Sequence, residues 1–127
     1  MSSERYEEGM RVRRAVLGDE HVARAEAAKS DFDAPFQRFI TETAWGTLWA
    51  DDALDQRTRS LITIAILAAL GRSEELALHL RASANTGANS EEICAALMHV
   101  AVYAGVPAAN SAFALAKGIL GEVTGDR

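Results

Sequence analysis

The chain has 127 residues, a formal net charge of −5, 49% hydrophobic residues and only 6% aromatic ones. This length predicts a single domain, residues 1–127, and the acidic balance argues against nucleic acid or an anionic membrane as partner. The single cysteine, Cys94, excludes an intramolecular disulfide, a CxxC redox pair and a multi-cysteine metal site. No apolar run is long enough to span a bilayer, and the opening Met1 to Glu8 is polar, unlike a signal peptide. A soluble cytoplasmic protein is the expectation. Alanine supplies much of the apolar content; it is the best helix former and lets helices approach closely, so the composition predicts an all-α fold.

The first helix is expected over Glu4 to Leu17, stopped by Gly18, with a basic, solvated side of Arg11, Arg13 and Arg14. Asp19 is the expected cap of a short helix through Ala27. A loop from Lys29 leads to Pro35, which suits the first turn of a third helix running to Trp49. That helix carries Phe36, Phe39, Trp45 and Trp49 near helical spacing. Trp45 and Trp49 at i, i+4 stack along one face, as core or as pocket wall. Asp51 and Asp52 read as turn and cap residues, because no complementary metal ligands follow at a recognisable spacing.

The chain is expected to be organised round Asp55 to Gly87. A helix over residues 55–70 is apolar nearly all round from Leu61 to Leu70, so it should be buried on most faces. Asp55 is its expected N-cap and Gly71 its C′ stop. Ser73 is the expected cap of the next helix, which ends at Gly87. Arg57 and Arg59 lie in the first turn of the buried helix; Glu75 and His79 share a face of the next, with Arg81 further round. A cationic end, a carboxylate and an imidazole thus flank one tight turn. An isolated Glu–His pair is more often an ordinary surface pair than a catalytic one, so spacing alone leaves both readings open.

Ser90 is the expected cap of a helix through Ala104, with Ile93, Leu97, Val100, Ala101 and Ala104 buried. Cys94 beside them is expected to be a small buried side chain, and Glu92, His99 and Tyr103 to face solvent or a partner. Gly105 and Pro107 separate it from a last helix through about Leu120, whose apolar points are Ala108, Ala112, Ala114, Leu115 and Ile119. A frayed tail from Gly121 is expected. No metal, flavin or nucleotide signature appears: there is no glycine-rich phosphate loop and no HExxH.

Several stretches together resemble the γ-carboxymuconolactone decarboxylase family: WGTLW at Trp45 to Trp49, LDQRTRSL at Leu54 to Leu61, ELALHLRASANTG at Glu75 to Gly87, YAGVPAAN at Tyr103 to Asn110, and the opening YEEGMRVRRAVLGDEHV. The likeness covers nearly the whole chain. It implies an alkylhydroperoxidase D-like all-α fold, a homo-oligomer (commonly a hexamer), and cofactor-independent decarboxylation of an anionic lactone in the protocatechuate branch of the β-ketoadipate pathway. It implies His79 and Glu75 as catalytic residues and Arg59, Arg57, Trp45, Trp49 and Arg81 as substrate-binding ones. Arg57 and Arg59 diverge on a helix, and Arg59, next to the buried run, is expected to face the pocket. Where the family carries an Arg-Pro-Gly type segment, this chain has Asp51-Asp52-Ala53. That departure keeps open a decarboxylase or lactone-processing enzyme on another acidic substrate, and a non-catalytic helical assembly that only binds. A peroxide-reducing thiol activity, known in the superfamily, is disfavoured by the single cysteine.

Overall fold

The computed structural model describes residues 3–124. Among them the elements are α1 (Glu4–Leu17), α2 (Asp19–Ala28), α3 (Ala34–Ile40), a π-helical segment (Thr41–Trp49), α4 (Gln56–Leu70), α5 (Ser73–Thr86), α6 (Ser90–Tyr103) and α7 (Val106–Thr124), with no strand. The all-α expectation holds. The chain divides into two compact units, residues 1–55 and 56–127.

In the first unit α1 packs along the π-helical segment. Ser3 caps α1 by accepting from the Tyr6 N–H at 3.0 Å. The two backbones come so close that a Cβ on Gly9 would overlap the carbonyl oxygen of Thr41, and one on Gly46 the carbonyl of Arg5. Val12, Val16 and Val22 fill the small apolar interior. Arg13 does not join a solvated basic face as expected: it is 4% exposed and paired with Glu26 at 3.4 Å. Its position between Val12 and the Val16 turn rotates it inward, where the α2 carboxylate meets it. Glu26 is held below the ordinary carboxylate range, first by its hydrogen bond with Lys29 and also by the charges of Lys29 and Arg13, against the opposing effect of burial.

The expected third helix, Pro35 to Trp49, is α-helical only to Ile40. Beyond that point Thr41 and Thr43 hydroxyls donate to the carbonyls of Gln37 and Phe39, and the Thr47 hydroxyl to that of Glu42, at 2.7–2.9 Å. Hydroxyls competing for backbone carbonyls, together with Gly46, weaken the i→i+4 ladder and favour the wider turn. Asp19 and Ser73 are first helical residues rather than caps, which are Gly18 and Arg72.

The second unit is built round α4, which packs on α5, α6 and α7. Ile64, Leu80, Ile93 and Leu97 are its most buried aliphatic side chains, with Ala68, Ala109, Ala112 and Ala116 filling between helices. Gly71, at φ +71°, closes α4: its N–H donates to Ala68 at 3.2 Å and the Arg72 N–H to Leu67 at 2.9 Å. That pair of bonds is a Schellman stop. It delivers Arg72 directly as the half-turn before α5, leaving Ser73 no capping role. The expected all-round burial of α4 is not met within one chain, because Ile62, Ile66 and Leu70 are 44%, 52% and 67% exposed. The three neighbouring helices cover only one side of it.

The capping position of α6 is Asn89, not Ser90. The Asn89 side chain accepts from the Glu92 N–H at 2.8 Å, and Glu92 accepts from the Asn89 N–H at 3.0 Å. This reciprocal box outcompetes the serine one residue on. Cys94 is exposed rather than buried, its sulfur 3.8 Å from that of the exposed Met98. It lies one step off the Ile93/Leu97/Val100 stripe, and 100° is enough to turn it out. Ala104 is also exposed, and the inward stripe of α7 is Ala109, Ala112, Ala116 and Ile119, with Ala114 outside. The α7 backbone stays helical through Thr124, beyond the expected end at Leu120; the last part of the expected frayed tail lies outside the described residues.

Candidate active site

Leu76 and Leu80 anchor α5 against the core, at 3% and 0% exposure. One turn of α5 places Glu75 and His79 beside that stripe, with Glu75 exposed and His79 half-buried. The His79 Nδ1 is shielded from solvent. Arg81 points outward and is exposed. Arg81 thus lies off the Glu75/His79 face, as its position further round the helix predicts, and burial separates His79 from Glu75.

The two arginines of α4 part company as expected. Arg57 is exposed and forms an ion pair with Glu92 of α6. Glu92 uses one carboxylate oxygen to cap α6 and the other to hold Arg57, so the Arg57 charge is already matched. Arg59 is 9% exposed and its Nε is shielded from solvent. A guanidinium can bind a carboxylate bidentately through its planar fork. The Thr63 hydroxyl donates to the Arg59 carbonyl at 2.8 Å, fixing that turn.

Three further buried hydroxyls stand on the same helices, Ser60, Ser83 and Thr86, and the Ser83 hydroxyl donates to the Leu80 carbonyl at 2.6 Å. The sequence reading singled out none of them. In the first unit Trp45 and Trp49, each 7% exposed, pack with ring centroids 5.2 Å apart and planes tilted by 33°. The expected pair therefore exists, on a π-helical rather than an α-helical backbone. No group of three or more His, Cys, Asp or Glu that could hold a metal ion occurs among the described residues. No described helix is long and apolar enough to cross a membrane.

Chemically, α4 and α5 together offer a buried cation and a half-buried imidazole on packed helices, with an exposed carboxylate one turn from the imidazole. Comparison with known proteins relates the sequence to a family. The model of the carboxymuconolactone decarboxylase family matches residues 34–118. The 4-carboxymuconolactone decarboxylase of Acinetobacter baylyi is 46% identical over 114 residues, 90% of this chain and 85% of that protein. The nitrosuccinic acid decarboxylase npaB of Metarhizium robertsii is 42% identical over 102 residues, 80% of this chain and 71% of that protein. A Pseudomonas putida 4-carboxymuconolactone decarboxylase is 54% identical over 43 residues, 34% of this chain and 90% of that sequence. With the family match running from α3 into α7, and so through every element that carries the arginine, histidine and tryptophan pattern, this chain belongs to the carboxymuconolactone decarboxylase family.

Proposed function

We propose that this protein is a carboxy-lyase that converts γ-carboxymuconolactone to the β-ketoadipate enol-lactone in protocatechuate catabolism, without a cofactor. The observation that carries the reading is the 46% identity to the Acinetobacter baylyi enzyme across 90% of the chain. The residues supply the chemistry such a reaction needs. The substrate is a lactone bearing two carboxylates, so a desolvated cation is required to bind it, and Arg59 is that cation. As the bond from the γ-carbon to its carboxylate breaks, CO₂ departs and the electron pair moves through the ring alkene onto the lactone carbonyl oxygen. The resulting dienolate collapses when a proton reaches the ring carbon next to that carbonyl. His79 delivers the proton, since imidazole titrates near neutral pH, and water returns one to it. Glu75, one turn earlier on the same face, serves to orient the imidazole. Arg81 serves at the margin of the site by long-range attraction, and Arg57, paired with Glu92, adds little net charge there. By family resemblance Trp45 and Trp49 of the first unit are substrate-binding residues.

The likeness to a nitrosuccinic acid decarboxylase favours a second reading, a different small polyacid as substrate. Nitrosuccinate poses the same problem: carboxylates to bind, and an electron sink, its nitro group, to accept the pair left by CO₂. The Asp51-Asp52-Ala53 segment is where such a change of substrate would be encoded. We read the chain as one functional domain, because the family match runs across residue 55. We also read it as a cytoplasmic homo-oligomer, a hexamer by family resemblance. Ile62, Ile66 and Leu70 on α4 and Met98, Val102 and Tyr103 on α6 are the apolar surface that further copies would cover.

The deciding assay incubates pure protein with γ-carboxymuconolactone and, separately, with nitrosuccinate, following substrate loss and CO₂ release. Turnover of the lactone is expected. Turnover of nitrosuccinate alone transfers the reading to the second substrate, and turnover of neither by folded oligomer overturns both.

A further inference from the structure

In the second unit α6 and α7 are joined by two residues and run antiparallel, leaving a groove of about 430 Å³ between them. Ile93, Leu97, Phe113 and Leu120 make its walls apolar. Among the described residues Lys117 is its only charged lining residue and makes no ion pair or side-chain hydrogen bond. None of the residues assigned above to decarboxylation lines it. The volume falls within the range of small-ligand pockets.

We propose that this groove is a second ligand site, for a small aliphatic monocarboxylate whose head meets the Lys117 ammonium and whose chain lies on the apolar walls. The charge pattern selects that class. In a chain of net charge −5, a cation bordering an apolar slot that no described carboxylate lines favours one anionic head. A dicarboxylate would press its second charge against Leu97 and Phe113 and lose its hydration there. A neutral chain would gain the walls without using the ammonium, and an amine would be repelled by it. The site is therefore chemically unlike the decarboxylation site, whose substrate carries two carboxylates.

Cys94 provides a reporter, because it lines the groove, is exposed, and is the only cysteine of the chain. Its alkylation by the neutral reagent iodoacetamide, followed by mass spectrometry, reads the state of the groove. Saturating octanoate should slow alkylation at least about tenfold, in proportion to the fraction of groove left open; n-octanol at equal concentration should do much less. Lys117→Gln should weaken octanoate by about tenfold, the loss expected for one charge-assisted contact. Ala114→Phe, a change at an exposed lining position, should abolish protection with the fold intact by circular dichroism. The proposal is overturned if millimolar octanoate leaves the rate unchanged, or if octanol protects equally and Lys117→Gln has no effect. It is also overturned if Cys94 reacts only after dilution dissociates the protein, since a second copy would then occupy the groove.

Discussion

The two units reach a packed interior by opposite means. In the first, backbone meets backbone: Gly9 and Gly46 remove the side chains that would hold α1 and the π-helical segment apart, and the interior includes an arginine. In the second, side chains do the separating and filling, with Ile64, Leu80, Ile93 and Leu97 interdigitated among alanines. Close backbone contact is intolerant of any added atom, whereas an aliphatic core loses stability in graded steps as atoms are removed. The difference also sorts the chemistry. The unit with graded, redundant packing carries Arg59 and His79; the one with close backbone contact carries the tryptophan pair.

The comparison is broken most directly at Gly9. Gly9→Val should cost more than about 3 kcal/mol, because the new side chain meets the Thr41 carbonyl, which belongs to a backbone and cannot rotate away. Both tryptophans lie in the first unit, so denaturant titration followed by their fluorescence is the appropriate measurement. A midpoint equal to wild type would show that the helices are not in contact there.

Leu80→Ala tests the other kind of packing. It should cost about 3 kcal/mol through lost burial and an incompletely closed cavity, read by far-ultraviolet circular dichroism. A loss below about 1 kcal/mol would mean that the alanine-rich core collapses round the gap.

The catalytic assignment within the second unit is sharpened by His79→Gln, which keeps a polar group of similar reach. A fall in kcat of about a hundredfold or more is expected, with KM less affected. Arg59→Lys should show the reverse bias, raising KM first because charge is kept while the planar fork is lost. Near wild-type kcat in His79→Gln would move the proton source elsewhere.

The smallest effect concerns His21 in the first unit. Burial, then the charges of Arg24 and Arg13, hold its pKa below the ordinary imidazole value of about 6.5. The folded state thus resists protonation more than the unfolded one. Its contribution to stability is intact above that value and is lost as the pH falls through the depressed folded value. His21→Gln should flatten the fall in melting temperature between about pH 7 and pH 5, while leaving the neutral-pH value nearly unchanged. An identical slope in wild type and variant would assign the acid sensitivity to other groups.

Element identity was legible wherever the apolar pattern was periodic. The bounds of α1 are those expected, Gly71 and Gly87 end their helices, and the Leu76/Leu80 stripe of α5 faces inward. These outcomes follow from local rules, in which i, i+4 spacing and a left-handed glycine are properties of a few neighbouring residues. The divergence of Arg57 and Arg59 is of the same kind, since two positions apart on a helix point different ways. Family membership was legible too, because short motifs spread over the chain survive without reference to the fold.

What the sequence did not contain was the competition between partners. Asn89 and Ser90 are both good caps, and the choice fell to the one whose third neighbour, Glu92, could answer it and still reach Arg57 on another helix. Threonines and a glycine at 41–47 are ordinary in an α-helix until a second backbone at Gly9 presses against them. The outward turn of Cys94 and the open face of α4 depend on which sides the other helices occupy, and periodicity cannot say how many sides will be covered. Local chemistry determined the elements and the motif residues; tertiary packing decided that Arg13 was buried on Glu26, that the Cys94 thiol was left open, and where a groove remained.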